Sequence, residues 1–238
     1  MKLSIIIPAF NEEKTVEETV KKVKKQKIPG FDKEIILVDD GSSDRTSQIL
    51  DEIGKKSPGI KVLHHPENRG KGAAVKTGIE NATGDYILIQ DADLEYDPKY
   101  IPSLTTPVLN GKARVVYGTR LNRMPHLQGE EQSLLFIAHF FGNRMLSLLT
   151  SLLYFSWVTD METCYKLFPK KALEGISLRS RSFNFEPEIT SKLLKKGYRI
   201  REVNIATKPR GYDEGKKLHT IRDGSIALWT LFKYRFID

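Results

Sequence analysis

The chain is built from short apolar runs that stop abruptly at proline, glycine or acid. "KLSIIIPAF" (2–10), "KEIILVDDGSSD" (33–44), "IKVLHH" (60–65), "YILIQDAD" (86–93) and "ARVVYGTR" (113–120) each read as a strand. Their apolar residues are continuous rather than alternating, the pattern of strands covered on both faces. Between the runs the period changes to that of a helix. Val16, Val20 and Val23 recur at helical spacing, with "KKVKKQK" as the wet face. "RTSQILDEI" (45–53) reads as a helix capped by Ser43 or Asp44 and stopped at Gly54. "NRGKGAAVKTGIENA" (68–82) is a glycine-rich turn feeding a helix, and "KYIPSLTTPVL" (99–109) is helical in part. Strands alternating with helices predict an α/β fold with a mostly parallel central sheet flanked by helices.

The second half is less regular. "LLFIAHFFGNRMLSLLTSLLYFSWV" (134–158) is long and apolar, but His139, Asn143 and Arg144 interrupt it. A membrane span wants about 20 apolar residues with few charges. The segment therefore reads either as a surface-seeking amphipathic helix or as a buried helix pair. "FNFEPEITSKLLKKG" (183–197) is a helix closed by Gly197, and "YRIREVNI" (198–205) is a strand. "PRGYDEGKKL" (209–218) is a polar loop, and "IRDGSIALWTLFKYRF" (221–236) is an amphipathic helix with Trp229, Phe232 and Phe236 near one face. With no repeat, linker or low-complexity stretch, 1–238 reads as one domain, with halves 1–120 and 121–238.

Charge adds a preference for acidic partners, since the 238 residues carry a formal net charge of +8. The single cysteine, Cys164, allows no intrachain disulfide and fits a reducing, cytoplasmic setting. Met1-Lys2 leads straight into the first strand, which is too short for a signal-peptide core. No RNP, KH or zinc-finger pattern is present, so nucleic acid is not the expected partner.

The candidate chemistry lies where strands end, the edge at which open α/β sheets bind ligands. "YILIQDADLEYDP" (86–98) drives an apolar strand into four acids, Asp91, Asp93, Glu95 and Asp97. Asp91 and Asp93 alternate with Ala92, so both carboxylates face one side of an extended chain. Like charges gathered there need a cation, and hard oxygen donors suit Mg²⁺ or Mn²⁺. Asp91 and Asp93, with Glu95 as a third ligand, are the expected metal site. Magnesium prefers one or two carboxylates plus substrate phosphates, so a diphosphate ligand follows. Asp39 and Asp40 can accept from a base or ribose, Phe10 can lie against a base, and Glu12 can accept from a sugar hydroxyl. "NRGKG" offers glycines for close approach, Lys71 for charge and a helix N-terminus for anions. Neither GxxxxGK[ST] nor GxGxxG is present, against a P-loop NTPase or a dehydrogenase. Asp160 and Glu162 are either a base for a hydroxyl acceptor or caps on "TCYKLF". The histidines at 64, 65, 139 and 219 show no metal-ligand spacing.

"SIIIPAFNEE", "ILVDDGSSDRT", "NRGKGAAVKTG", "GDYILIQDADLEYDP" and "VVYGTR", in that order, resemble family 2 glycosyltransferases of the GT-A fold. The dolichyl- or polyprenyl-phosphate hexose synthase type is the nearest match, and the resemblance covers essentially the whole chain. Such enzymes transfer a hexose from a nucleotide diphosphate sugar to a lipid phosphate with inversion, using Mg²⁺ or Mn²⁺. The resemblance implies nucleotide contacts at Pro8, Phe10, Glu12, Val38 and Asp40, and a diphosphate at Asp91, Ala92 and Asp93. It implies a metal on Asp93 and Glu95, with Asp91 nearer the sugar-nucleotide. Arg120 would reach a phosphate, Arg210 and Lys216 would close over the donor, and Arg144 would grip the acceptor phosphate. Asp93, Arg120 and Arg144 are thus the catalytic candidates. Phe10 stands where the family pattern has tyrosine, and Glu95 where dolichyl-phosphate mannose members commonly have glutamine.

The expected setting is peripheral, at the cytoplasmic membrane face. Either the protein's own apolar segments or an anchoring partner protein would hold it there. GDP-mannose and UDP-glucose both remain open as donors. Two other readings stand beside this one: transfer to a hydroxyl of a glycan, glycolipid or polysaccharide, and a nucleotide- or RNA-binding module without transfer activity.

Overall fold

The structure of the protein, a computed structural model, describes residues 1–121, 134–208 and 220–237. The six expected strands are β1 (Lys2–Ala9), β2 (Asp32–Asp39), β3 (Ile60–His64), β4 (Tyr86–Ile89), β5 (Val115–Thr119) and, from the second half, β7 (Ile200–Asn204). The second half also adds β6 (Lys166–Pro169), which the sequence pattern did not predict. Together they form one sheet in the order β3-β2-β1-β4-β6-β5-β7. β6 runs antiparallel to β4 and β5, and every other pairing is parallel. Strand β6 takes only the last three residues of "DMETCYKLF" and Pro169, too short a run to reveal a strand from its pattern. The mostly parallel sheet is as expected, and strands from the second half extend it without a break.

Sheet burial explains the continuous runs. Leu3, Ile5, Ile6, Ile7, Ile36, Leu37, Val38, Ile87 and Leu88 are all fully buried, because both faces of the sheet are covered. The helices are α1 (Val16–Lys25), α2 (Thr46–Lys56), α3 (Lys71–Asn81), α4 (Ile101–Leu109), α5 (Leu134–Tyr154), α6 (Phe185–Lys195) and α7 (Thr220–Phe236). On α1 the buried residues are Val16, Thr19, Val20 and Val23, as its period requires. α2 runs through Gly54 to Lys56, and Asp44 Oδ1 accepts from the Thr46 amide at its start (2.9 Å). α4 carries Pro107 inside it and is preceded by a 3₁₀ turn at Pro98–Tyr100.

The apolar 134–158 segment is one helix, α5, rather than a pair. Its inner face, with Leu146 and Tyr154, joins Val158, Met161, Leu194, Ala227 and Leu231 in a second small core under α7. Its outer face carries Phe141, Met145, Leu148 and Leu152, each more than half exposed. Phe155 and Trp157 follow at 88% and 69% exposure, and α7 adds Trp229 and Phe236 at 62% and 71%. The stripe repeats every three to four residues, so it is a designed face and not scattered exposure. No helix among the described residues is long and apolar enough to cross a membrane.

Candidate active site

The carboxyl ends of β1, β2, β3, β4, β5 and β7 share one rim, and β6 begins there. Two loops at this rim are stitched together. The amides of Asn11, Glu12 and Glu13 donate to Ser42 Oγ, Thr46 Oγ1 and Asp44 Oδ2 at 3.0, 2.8 and 3.2 Å. In return Asn11 Oδ1 accepts from the Ser43 amide (2.8 Å). Asn11 has φ 53°, a left-handed turn that asparagine tolerates, and it reverses the chain directly after β1. Phe10 and Glu12 are thereby held at the rim, half-buried, with Thr15 Oγ1 donating to Glu12 Oε2 (2.9 Å). Pro8 lies in register with Val38 inside the sheet. Both are buried, so their side chains face the core rather than the rim.

Asp40 is 2% exposed and its carboxylate is committed within the protein. Oδ1 accepts from His65 Nδ1 (2.7 Å) and the Arg69 amide (3.0 Å), and Oδ2 from the Gly70 amide (2.8 Å). The amides before α3, expected to favour a ligand's anion, thus meet the protein's own carboxylate. The glycines also have a partner other than ligand. A Cβ on Gly70 would lie 2.3 Å from the Arg181 carbonyl oxygen, and one on Gly72 would lie 2.5 Å from that of Ser180. Close approach here is of backbone to backbone, and it brings the first turn of α3 against the segment leading into α6. Glu188 fixes that segment from below, accepting from the amides of Arg179 (2.9 Å) and Ser180 (2.7 Å).

This packing joins residues from three distant parts of the sequence. Lys71 Nζ, at the start of α3, lies 2.9 Å from Asp91 Oδ1 and 2.9 Å from Glu186 Oε1. Burial disfavours its charge, but Asp91 and Glu186 outweigh that and hold the ammonium well above its ordinary range. Asp91 is therefore already paired with a cation. Asp93 Oδ1 accepts from the Glu95 amide (3.0 Å) across a turn in which Leu94 has φ 64°. Beyond the turn, the Lys208 amide donates to the Glu95 carbonyl (3.0 Å), and Tyr96 bridges to Thr207. Ala92 is buried, its carbonyl accepting from Thr19 Oγ1 (3.0 Å).

Asp91, Asp93 and Glu95 do not close into a ready-made cage. No group of three or more His, Cys, Asp or Glu residues among those described is arranged to hold a metal. Asp91 meets Lys71 at the start of α3 instead. The donor set still fits Mg²⁺ or Mn²⁺, which bind through one or two carboxylates and take their other ligands from water and substrate phosphate.

Arg120, at the end of β5, forms a two-point pair with Asp160. Nε donates to Oδ2 (2.7 Å), Nη2 to Oδ1 (2.8 Å), and the Arg120 amide also donates to Oδ2 (2.9 Å). The Tyr96 ring lies under the guanidinium at 5.6 Å. Asp160 is fully buried and orients Arg120; it does not cap "TCYKLF". Arg144, on α5, donates to the Leu121 carbonyl, one residue beyond Arg120. Arg210 and Lys216 lie outside the described residues.

Glu162, read as a base or a cap, and Glu186, to which the sequence reading gave no role, are two further carboxylates at this rim. Burial, then the negative charge of Glu186, pushes Glu162 up to about 8. Lys166 is fully buried, donates to the Met161 carbonyl (2.7 Å) and lies over the Tyr117 ring at 4.1 Å. Burial pushes it down to about 8. The spacing Glu186-Pro187-Glu188 at a helix start was the available signal, but it cannot tell which acid caps backbone and which faces the rim.

Histidine 64 provides a test of the β2 end. Its ring nitrogens lie 3.1 Å from Asp39 Oδ2 and 3.1 Å from Asp51 Oδ1. Burial opposes the ring's charge, but hydrogen bonds to the two carboxylates outweigh it and raise the imidazole above its ordinary 6.5. The pair then stabilises the fold fully below about pH 6.5 and fades as pH rises through the raised value. In urea titrations from about pH 5.5 to about 8.5, the stability difference between wild type and His64→Gln should shrink with rising pH. A difference independent of pH would show that the ring never carries charge there.

The comparisons with known proteins agree with this fold. The model of glycosyl transferase family 2 matches residues 4–177. An uncharacterised protein of Methanocaldococcus jannaschii is 33% identical over 208 residues, 85% of this chain and 80% of that protein. A dolichyl-phosphate beta-glucosyltransferase of Trichomonas vaginalis is 31% identical over 217 residues, 85% of this chain and 62% of that enzyme. The dolichol-phosphate mannosyltransferase of Pyrococcus furiosus is 35% identical over 130 residues, 52% of this chain but only 36% of that enzyme. The chain therefore spans less than two thirds of either lipid-phosphate enzyme. Among solved structures, glucosyl-3-phosphoglycerate synthase of Mycobacterium tuberculosis in complex with UDP superposes with a TM-score of 0.73. That match is 20% identical and covers 100% of this chain and 81% of the other. The same synthase in complex with Mn²⁺, UDP and phosphoglyceric acid gives 0.68 at 21% identity, covering 100% and 79%. These structures share the GT-A fold, and with the sequence matches they establish that the chain belongs to glycosyl transferase family 2.

Proposed function

We propose that this glycosyltransferase moves a hexose from a nucleoside diphosphate sugar to a polyprenyl phosphate at the cytoplasmic membrane surface, inverting the anomeric centre. The observation that carries the reading is the placement of Arg144. It sits on α5, the helix with the outward apolar stripe, and reaches the chain one residue past Arg120. A lipid phosphate presented from that stripe would meet two guanidiniums beside the acidic rim. The relatives that act on dolichyl phosphates support the same acceptor class.

In this reading the nucleotide lies over the ends of β1 and β2, near Phe10 and Glu12, with Pro8, Val38 and Asp40 supporting the rim from beneath. The diphosphate lies at Asp91, Ala92 and Asp93. A bound Mg²⁺ or Mn²⁺, held by Asp93 with Asp91 and Glu95 beside it, would neutralise the departing diphosphate. A phosphate monoester has its second pKa near ~6, so the acceptor arrives mostly dianionic and needs positioning more than deprotonation. Arg120, fixed at two points by Asp160, offsets repulsion between acceptor and donor without reorganising. Asp160, one of the two residues read as a base for a hydroxyl acceptor or a cap, gives both oxygens to Arg120.

The test is a transfer assay with purified protein, Mg²⁺ or Mn²⁺, a short polyprenyl phosphate and labelled GDP-mannose, UDP-glucose or UDP-N-acetylglucosamine. Lipid-phase product from one donor, abolished by chelator, would fix donor and reaction together. Metal-dependent nucleotide binding without lipid product from any donor would sink the lipid acceptor and point to a hydroxyl.

The apolar stripe makes a separate prediction. Burying one large apolar side chain contributes about 1.5–3 kcal/mol. Trp229→Ser combined with Phe155→Ser should lower partitioning onto anionic vesicles by at least ~10-fold in co-sedimentation. Unchanged partitioning would show that an anchoring partner, and not this face, holds the protein at the membrane.

A further inference from the structure

Four buried side-chain oxygens among the described residues have no hydrogen-bond partner: Glu162 Oε1, Thr163 Oγ1, Glu186 Oε2 and Ser191 Oγ. Glu162 and Glu186 belong to the rim cluster, each carboxylate weighing on the other, and Thr163 follows Glu162 directly in the chain. Thr163 is fully buried and Glu186 is 4% exposed, whereas Glu162 keeps part of its surface open. Buried polar atoms are normally paired, and each one left alone costs about 1–3 kcal/mol. Two of them are carboxylates close enough to repel one another, and the third belongs to the residue next in the chain after Glu162; oxygens left unpaired beside the functional rim are available to a ligand.

The cluster's neighbours define that ligand. Glu186 uses Oε1 on Lys71, which also holds Asp91. The charges that weigh on Glu162 are Glu186, Lys166, Arg120 and Asp160. Glu162 therefore stands between the Asp91 side, where the diphosphate is placed, and the Arg120 side, where the acceptor phosphate is placed. A phosphate cannot be the guest, because two carboxylates would repel it. A nucleobase would want an aromatic face beside its polar edge, and the three oxygens supply none. A neutral group bearing several hydroxyls fits: each hydroxyl can donate to a carboxylate oxygen, and one can accept from Thr163.

We infer that Glu162, Thr163 and Glu186 form the subsite that holds the hydroxyls of the donor's hexose, with Glu162 and Thr163 setting which hexose is accepted. The inference rests on the sugar-nucleotide reading above, but not on the lipid acceptor. Charge supports the same arrangement. Four carboxylates (Asp91, Asp160, Glu162, Glu186) face three cations (Lys71, Arg120, Lys166). One carboxyl that keeps its proton balances the set and can donate to a sugar oxygen as well as accept.

The experiment compares Glu162→Gln and Thr163→Val with wild type, both close in shape to the residues they replace. In the presence of Mn²⁺, affinities are measured for UDP and GDP, and for UDP-glucose, UDP-N-acetylglucosamine and GDP-mannose. The expected result is unchanged affinity for the nucleoside diphosphate and a loss of about 10- to 100-fold for the preferred sugar nucleotide. The ranking of the sugars should also change. Equal loss for nucleotide and sugar nucleotide would overturn the proposal by showing a general electrostatic role. No loss for either variant would overturn it too, leaving the three oxygens to water. Because the readout is donor binding, a failed lipid transfer assay would remove the acceptor reading and leave this one standing.

Discussion

Asp93→Asn should lower kcat/KM for sugar transfer by about 10³ or more, equivalent to about 4 kcal/mol of transition-state stabilisation. The substitution is chosen for what it preserves. Asp93 Oδ1 accepts from the Glu95 amide (3.0 Å), and an asparagine oxygen can do the same. The turn through Leu94 should keep its left-handed residue, and thermal stability should stay near wild type. What is lost is one negative charge at the place proposed for the metal-bridged diphosphate. Binding of UDP or GDP should therefore lose its dependence on Mn²⁺ in titration calorimetry. Glu95→Gln should cost less, because Glu95 completes the arrangement rather than anchoring it. Asp93→Asn activity within tenfold of wild type, with metal-dependent nucleotide binding intact, would move the diphosphate away from the β4 end.

Asp160→Ala should give the largest loss of stability among single changes at the rim. The Asp160 side chain is fully buried and that of Arg120 keeps 23% exposure. Removing one partner of a buried pair leaves an uncompensated charge, which costs about 3–5 kcal/mol. The partial exposure of Arg120 places the expected value near ~3 kcal/mol, a fall of roughly 6–12 °C in Tm for a chain this long. The Arg120 amide also loses its acceptor, so part of the cost is an unsatisfied backbone donor. Asp160→Asn, which keeps an acceptor oxygen, should recover some of that loss. Calorimetric melts of the two variants decide the matter: midpoints within about 1 °C of wild type would mean that water replaces the pair at no cost.

The two changes separate the tasks of the rim. Asp93 sits on a half-open turn and acts on a ligand, so its loss is read in kinetics. Asp160 is sealed and acts on Arg120, so its loss is read first in stability. Lys71 lies between these cases, since its ammonium holds Asp91 and Glu186 together and fixes the distance between the two halves of the site.

The strands, the helices and the acidic ends of β2 and β4 were legible in the sequence because each is a local pattern. A continuous apolar run marks a doubly covered strand, and a change of period marks a helix, whatever they pack against. The ordered motifs also carried the family. Strand β6 was not legible, since a four-residue run that begins with Lys166 does not distinguish a strand from any other buried segment, and its reversed direction depends on the neighbours it finds. Nor could the pattern choose between a helix pair and one outward-facing helix at 134–158. Both bury some of the same residues, and only the packing of α7 and Leu194 against one side of α5 selects between them.

Partner choice among charged groups belongs wholly to the tertiary structure. The sequence shows many acids and many cations, and Coulomb attraction gives each acid numerous candidates. Which pair forms depends on which backbones can come within reach. Glycines 70 and 72 bring α3 against residues 180–181, and that contact sends Lys71 to Asp91 and Glu186. Asp40 was read as facing a ligand, and the β3–α3 loop instead folds its amides onto it. Asp160 was read as a base or a cap, and β5 instead delivers Arg120 to it. Local pattern thus determined the elements and the rim on which the chemistry sits. Long-range packing decided which of the rim's charges hold one another and which buried oxygens among the described residues are left without a partner.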